Sequence, residues 1–375
     1  MKKAVLIPDS FKGTISSSDI CAVMKAEILR RFPECAVVSV PVADGGEGSV
    51  DAFLTALGGV RVMLPVSGPF FEETDSFYGL IDGGETAVIE MAAAAGLPLA
   101  AGRENPLTAT TFGVGELILH AAQSGVKKII LGLGGSATND GGCGAAAACG
   151  VKFFDKDGTS FVPTGGTLSA IARIDTAGLA PSLRGVEIIT MCDIDNPMYG
   201  ERGAAYVFAP QKGADPDTVR VLDDGLRHLC AVMKESLGAD VSALPGGGAA
   251  GAMGAGMAVF FGSKLQMGIE TVLDTVGFDG MIRDADVIFT GEGKIDSQSL
   301  GGKAVIGIAR RAKKQGIPVI AVVGGAEGDM QAAYDEGVSA VFSINRLPMP
   351  LSESRAYTRE NLAFAMENIL RLMEI

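Results

Sequence analysis

Apolar and polar positions follow one another along this chain in blocks with the grammar of strand, loop and helix. The apolar run AVLIPD (residues 4–9) meets the polar stretch SFKGTISSSD, after which ICAVMKAEILRRF takes up helical spacing. CAVVSVPVADGGEG then leads into a second helical pattern near SVDAFLTAL. Strands alternating with helices in this way predict a parallel sheet. The same order returns near the C-terminus: ADVIFTGEGKID before KAVIGIARRAKKQG, PVIAVVGG before MQAAYDEG, and AVFSINR before a last helix from Arg355 to Met373. The middle is less regular. Residues 60–90 read as short strands with turn signals, and Asp155-Lys156-Asp157-Gly158 reads as a hairpin turn between VKFF and TSFVP. The expectation is an α/β protein: a Rossmann-like parallel-sheet domain split in sequence, residues 1–62 and 268–375, with a second α/β domain, residues 63–267, inserted.

Composition narrows the chemistry. Of 375 residues, 47% are hydrophobic and 20% charged, enough to bury a large core. The net charge of −13 argues against a nucleic-acid partner and against a basic membrane surface. A phosphate ligand stays open, because Mg²⁺ and a few local cations can supply positive charge. The six cysteines form no C-x-x-C pair and read as reduced core thiols. The apolar start is too short for a signal peptide, and Val241 to Ser263 holds too many glycines for a good spanning helix. The cytoplasm is the expected compartment. Only two histidines occur, His120 and His228, both inside helical patterns, so carboxylates must carry most of the acid–base work. The 52 glycines cluster at the ends of apolar runs, where turns can cradle ligands.

Five such turns carry candidate chemistry. Asp9 to Thr14 places Ser10 and Lys12 before a helix start, where an anion is favoured. Ala43 to Gly48 sets Asp44 and Glu47 among three glycines, suited to orienting a hydroxyl or holding Mg²⁺ through water. Gly132 to Gly142 is the densest: successive amides can form an anion nest, Ser136, Thr138 and Asn139 add neutral donors, and Asp140 could serve Mg²⁺ or a hydroxyl. This stretch also matches the dinucleotide pattern G-x-G-x-x-A, which offers an alternative reading as an NAD-dependent oxidoreductase of a small hydroxy acid. Asp155, the acid at the expected spacing, falls in the expected hairpin, and Thr138 to Gly142 delays the helix that should follow at once. Cys192 to Pro197 brings Asp193 and Asp195 to one face of an extended chain, a base and a metal ligand, with Arg202 and Lys212 downstream to neutralise phosphate. Gly291 to Ser297 carries Lys294 and Asp296, without P-loop spacing.

Taken together, the motifs from Ile7 to Gly13, Pro41 to Gly48, Gly134 to Gly142, Asp195 to Pro197, Pro210 to Ala214 and Gly291 to Asp296 resemble the signatures of the type I glycerate kinases. They run in order from residue 7 to about residue 303; Met198-Tyr199 and Glu201 vary between them. The resemblance implies ATP-dependent, Mg²⁺-assisted phosphorylation of D-glycerate to 2-phosphoglycerate, on two α/β domains with the active site in the cleft. On that reading Asp193, then Asp296, is the base, and Lys12 and Lys294 neutralise the carboxylate or the transferred phosphoryl group. Ser10, Asp44, Glu47, Gly134, Gly135, Ser136, Asn139 and Lys212 bind substrate or phosphate, and Asp140 and Asp195 meet the metal. A non-catalytic organic-acid binder is the remaining alternative, and the oligomeric state is left open.

Overall fold

The computed structural model describes residues 1–11, 13–42, 45–296, 302–347 and 349–374. Its strands, in chain order, are β1 (Lys3–Leu6), β2 (Ala36–Ser39), β3 (Val60–Ser67), β4 (Glu73–Ile81), β5 (Thr86–Glu90), β6 (Lys128–Gly132) and β7 (Lys152–Phe154). They continue with β8 (Ser160–Phe161), β9 (Arg173–Asp175), β10 (Glu187–Met191), β11 (Lys264–Gln266), β12 (Val287–Thr290), β13 (Val319–Val323) and β14 (Val338–Ser343). The chain divides into two compact units.

The first unit holds Met1–Asp44, Asp51–Gly58 and Met267–Ile375. Its sheet runs β14-β13-β12-β1-β2, parallel throughout, with Ala4 opposite Val287 on one side and Val37 on the other. Strands covered on both faces lose their alternation and become continuous apolar runs. That is the case for VIFT in β12 and VIAVV in β13, where every residue is buried. The helix Ser17–Arg31 starts where Ser16 accepts from the Asp19 amide (3.1 Å), and it carries Arg30 and Arg31 in its last turn, as the helix dipole favours. Its apolar stripe, Ile20, Met24 and Ile28, packs with Leu362, Met366 and Ile369 of the C-terminal helix Thr358–Leu372.

The second unit holds Gly45–Val50 and Gly59–Gln266. Its main sheet runs β11-β10-β6-β5-β4-β3; the first four strands are mutually parallel, and β4 and β3 add on antiparallel. A small antiparallel sheet, β8-β7-β9, carries the hairpin read at Asp155 to Gly158. The α/β reading with parallel strands therefore holds. In register, Glu90 of β5, Gly132 of β6, Met191 of β10 and Gln266 of β11 form one row across the carboxyl ends of four parallel strands. That edge is where a parallel sheet presents its loops to ligands.

Both histidines are structural. His120 Nδ1 lies 3.0 Å from the Tyr78 hydroxyl, and His228 Nε2 lies 2.7 Å from the Ile171 carbonyl. All six cysteines are buried free thiols. The glycine-rich stretch becomes the helix Ala249–Phe261, and among the described residues no helix is long and apolar enough to cross a membrane.

Candidate active site

The loop that leaves β6 is built on backbone-to-backbone contact. A Cβ on Gly132 would lie 2.2 Å from the Gly45 carbonyl oxygen, and one on Gly134 2.5 Å from Gly46 Cα. The Gly134 amide donates to the Gly45 carbonyl at 3.0 Å. Two of the glycine-rich motifs thus lie across each other, and several of their glycines serve that crossing. This corrects the reading of Gly134 as a phosphate cradle: its amide and its bare Cα face are already used. Further along, Ala137 donates to Ala95 (2.9 Å) and Gly141 to Gly251 (3.0 Å), while the Gly135 carbonyl accepts from Leu97 (2.8 Å). The amides of Gly135, Ser136, Thr138 and Asn139 are not spent on backbone acceptors among the described residues. These are the donors that remain for an anion.

Asp140 is fully buried. Its Oδ2 accepts from the Thr111 amide (2.8 Å), the Thr111 hydroxyl (2.9 Å) and the Gly144 amide (3.3 Å), and its Oδ1 accepts from the Gly142 amide (3.1 Å). Burial pushes its carboxyl above the ordinary range, against donors that favour the anion. Those bonds pin the start of the helix Cys143–Ala148. Asp140 is a clamp inside the fold, and it does not fit the role of magnesium ligand expected for it. Asp195, the other expected metal ligand, is 80% exposed and lies 3.7 Å from Arg202. Among the described residues no three His, Cys, Asp or Glu side chains converge as a metal site.

Lys212 ends a 3-10 turn, Pro210–Lys212, from which Gly213 (φ +91°) reverses the chain before Asp215 caps the long helix Pro216–Leu237. It is 2% exposed, and its ammonium donates to Ser136 Oγ (2.8 Å) and to the Thr138 carbonyl (2.7 Å). Burial brings its pKa down to about 7 from 10.5, with the Asp140 charge pulling the other way. Beside it, Thr138 Oγ1 and both amide atoms of the Asn139 side chain are buried without a partner. Leaving such groups unpaired costs about 1–3 kcal/mol each, so their retention points to a task. Ala250 and Ala252 flank Gly251 in a left-handed turn over the same peptide (φ 54°, 67° and 67°). For the two alanines that conformation costs about 1–2 kcal/mol apiece.

The remaining residues divide between the units. In the second unit Asp193, half-buried, follows the end of β10 by two residues and so shares the sheet edge with the loop after β6. Glu47 is exposed. Sequence reasoning missed Glu90, a buried carboxylate at the end of β5 that accepts from the Gly48 and Val50 amides (3.2 and 2.6 Å). Its signal was an acid closing an apolar run, TAVIE. In the first unit Ser10 lines a polar cavity of about 420 Å³ with Gly13, Thr14, Ser16, Arg355 and Arg359. There the β1 and β12 ends lie together: the Asp9 amide donates to the Gly291 carbonyl at 2.8 Å. Lys294 is 54% exposed, paired with Glu327 and 3.7 Å from Asp296. Lys12 and Asp44 lie outside the described residues.

The dinucleotide alternative is overturned by geometry. The helix starts at Cys143, not directly after the G-x-G-x-x-A stretch, and Asp155 spends Oδ1 on the Asp157 and Thr159 amides (2.9 and 2.8 Å) in its turn. The comparisons with known proteins decide the family. The model of the Glycerate kinase family matches residues 4–374. The chain belongs to the glycerate kinase family. Membership makes it a kinase of glycerate that takes its phosphoryl group from ATP. It is 44% identical to a glycerate kinase of Bacillus cereus over 374 residues, covering 100% of this chain and 98% of that one. It is 42% identical to the glycerate 2-kinase of Escherichia coli with the same coverage. A crystallised chain of Salmonella typhimurium LT2 that carries the provisional name glycerate kinase 2 superposes with a TM-score of 0.88, at 38% identity, over 100% of this chain and 98% of that one.

Proposed function

We propose that this chain transfers the γ-phosphoryl group of ATP to the C2 hydroxyl of D-glycerate, giving 2-phosphoglycerate and ADP. The observation that carries the reading is the loop after β6, whose unspent amides and hydroxyls at Ser136, Thr138 and Asn139 are backed by the buried ammonium of Lys212. The relation to the E. coli glycerate 2-kinase supports the choice of hydroxyl. Phosphoryl transfer asks little covalent chemistry of the protein; positioning and electrostatics do most of it. Asp193 accepts the hydroxyl proton as the C2 oxygen attacks phosphorus in line and the bond to the ADP oxygen breaks. Gly135, Ser136 and Asn139 meet the anion. Asp296, 3.7 Å from Lys294, is the second candidate base, and Ser10 is the candidate at the end of β1. Mg²⁺ accompanies the nucleotide, drawing its ligands largely from phosphate oxygens and water; no residue is assigned to it. A cytoplasmic setting is part of the proposal and fits six unpaired thiols.

The test is a phosphoryl-transfer assay with ATP, Mg²⁺ and D-glycerate, resolving the products by phosphorus NMR. The expected product is 2-phosphoglycerate; a 3-phosphoglycerate signal would overturn the choice of hydroxyl. Asp193→Asn should lower kcat by about 10²–10⁴ without loss of fold. Near-wild-type turnover in both Asp193→Asn and Asp296→Asn would remove the proposed base.

A further inference from the structure

Lys212 was expected to touch phosphate, yet its ammonium is sealed behind the loop and bonded to it. A hydroxyl has one proton and two lone pairs. Because Ser136 Oγ accepts from Lys212 at 2.8 Å, its own proton must point elsewhere, and a hydroxyl that accepts from a cation becomes a stronger donor. The second bond, to the Thr138 carbonyl at 2.7 Å, fixes the peptide that carries the Asn139 amide. That same peptide lies against Gly251, where a Cβ would stand 2.1 Å from the Thr138 oxygen and 2.5 Å from Asn139 Cα. The loop is therefore held by a cation and a glycine turn, with its unspent amides, the Ser136 and Thr138 hydroxyl protons and the Asn139 side-chain amide as its remaining donors. We infer that Lys212 is a positioning residue: a buried charge that acts on the substrate's oxyanion through Ser136 and the Thr138–Asn139 peptide, without contacting it. The oxyanion is a carboxylate or a phosphoryl oxygen, the two this reaction offers.

The inference rests on the kinase reading, and its test separates the two. Calorimetric titration of D-glycerate and of ATP needs no turnover, so coupling between Lys212 and Ser136 is measurable whether or not the proposed product forms. Lys212→Met should lower kcat/KM, or the matching affinity, by about 10²–10³, the usual cost of losing one preorganised oxyanion donor. Ser136→Ala should cost at least tenfold, and the double variant should be no worse than Lys212→Met alone within about threefold, because the two act as one unit. A rise confined to the glycerate KM identifies the carboxylate, and a fall confined to kcat identifies the phosphoryl oxygens. In the wild type kcat/KM should fall as pH rises and the Lys212 ammonium, which faces the Asp140 charge, loses its proton; Lys212→Met should lack that limb. Multiplicative effects in the double variant, or an unchanged limb in Lys212→Met, would overturn the inference. Should Lys212→Met fail to fold, Ser136→Ala decides alone: a folded variant within threefold of wild type sinks the idea.

Discussion

Two strand-end systems in this molecule carry lysines, and they keep them under opposite conditions. Lys212 is sealed against the loop after β6, with the fully buried Asp140 as its neighbouring charge. Lys294, after β12, stands more than half exposed and shares its charge with Glu327 and Asp296, which hold its pKa above the ordinary value. Lys212 sits in the motif Pro210 to Ala214 and Lys294 in Gly291 to Asp296, and each places its lysine beside a glycine. The difference lies in the solvent. Water screens Lys294, so its pairs can rearrange at little cost. Lys212 is not screened, so its bonds to the Ser136 hydroxyl and the Thr138 carbonyl hold the loop in place.

The contrast can be pressed at several points. The largest effect is expected at Asp140. Asp140→Ala strands the Thr111, Gly142 and Gly144 donors in the interior, and stability should fall by about 3–5 kcal/mol in urea unfolding. Gly134→Ala drives a methyl against Gly46 Cα and should cost about 1–3 kcal/mol, together with a drop in kcat/KM. The Lys212 titration gives a signed effect, spread along the pH axis. Between about pH 7 and 10.5 the unfolded chain holds a proton on this lysine that the folded chain has released. Stability from this group therefore rises with pH across that window. The rise should vanish in Lys212→Met, read as the pH dependence of the unfolding midpoint. Lys294→Met should leave the melting temperature unchanged, so any change it causes should appear in kinetics. Asp195→Asn, at the exposed end of the series, should leave the melting temperature unchanged, and a large loss of activity there would support its expected metal role.

Much of this architecture was legible from periodicity. Continuous apolar runs such as PVIAVVGG became buried parallel strands, and Asp155 to Gly158 became the hairpin turn, because both signals are local. The site was legible in part. Gly132 to Gly142 was marked as the densest loop, but the reason for its glycines was not available, since Gly45 and Gly46 lie almost ninety positions away. Asp140 looked like a ligand because sequence shows a carboxylate and hides the four donors that fill it. The two Gly-Glu-Gly stretches, Gly46 to Gly48 and Gly291 to Gly293, read alike in sequence, yet Glu47 is exposed and Glu292 buried. Burial of a single polar residue depends on what packs over it, and spacing does not carry that information.

The split of the first sheet has a consequence for how the chain is made. Strand β1 gains one neighbour early, at Ala36, but its other neighbour is β12, beginning at Val287. At about 5–20 residues per second, a ribosome needs on the order of 15–60 s to deliver that partner. Until then β1, with Ala4, Val5 and Leu6, has one edge unpaired, and every strand of the second unit emerges before β12 does. The second unit is thus placed to fold first during synthesis, and the first unit depends on protection of a nascent edge until the last third of the chain arrives.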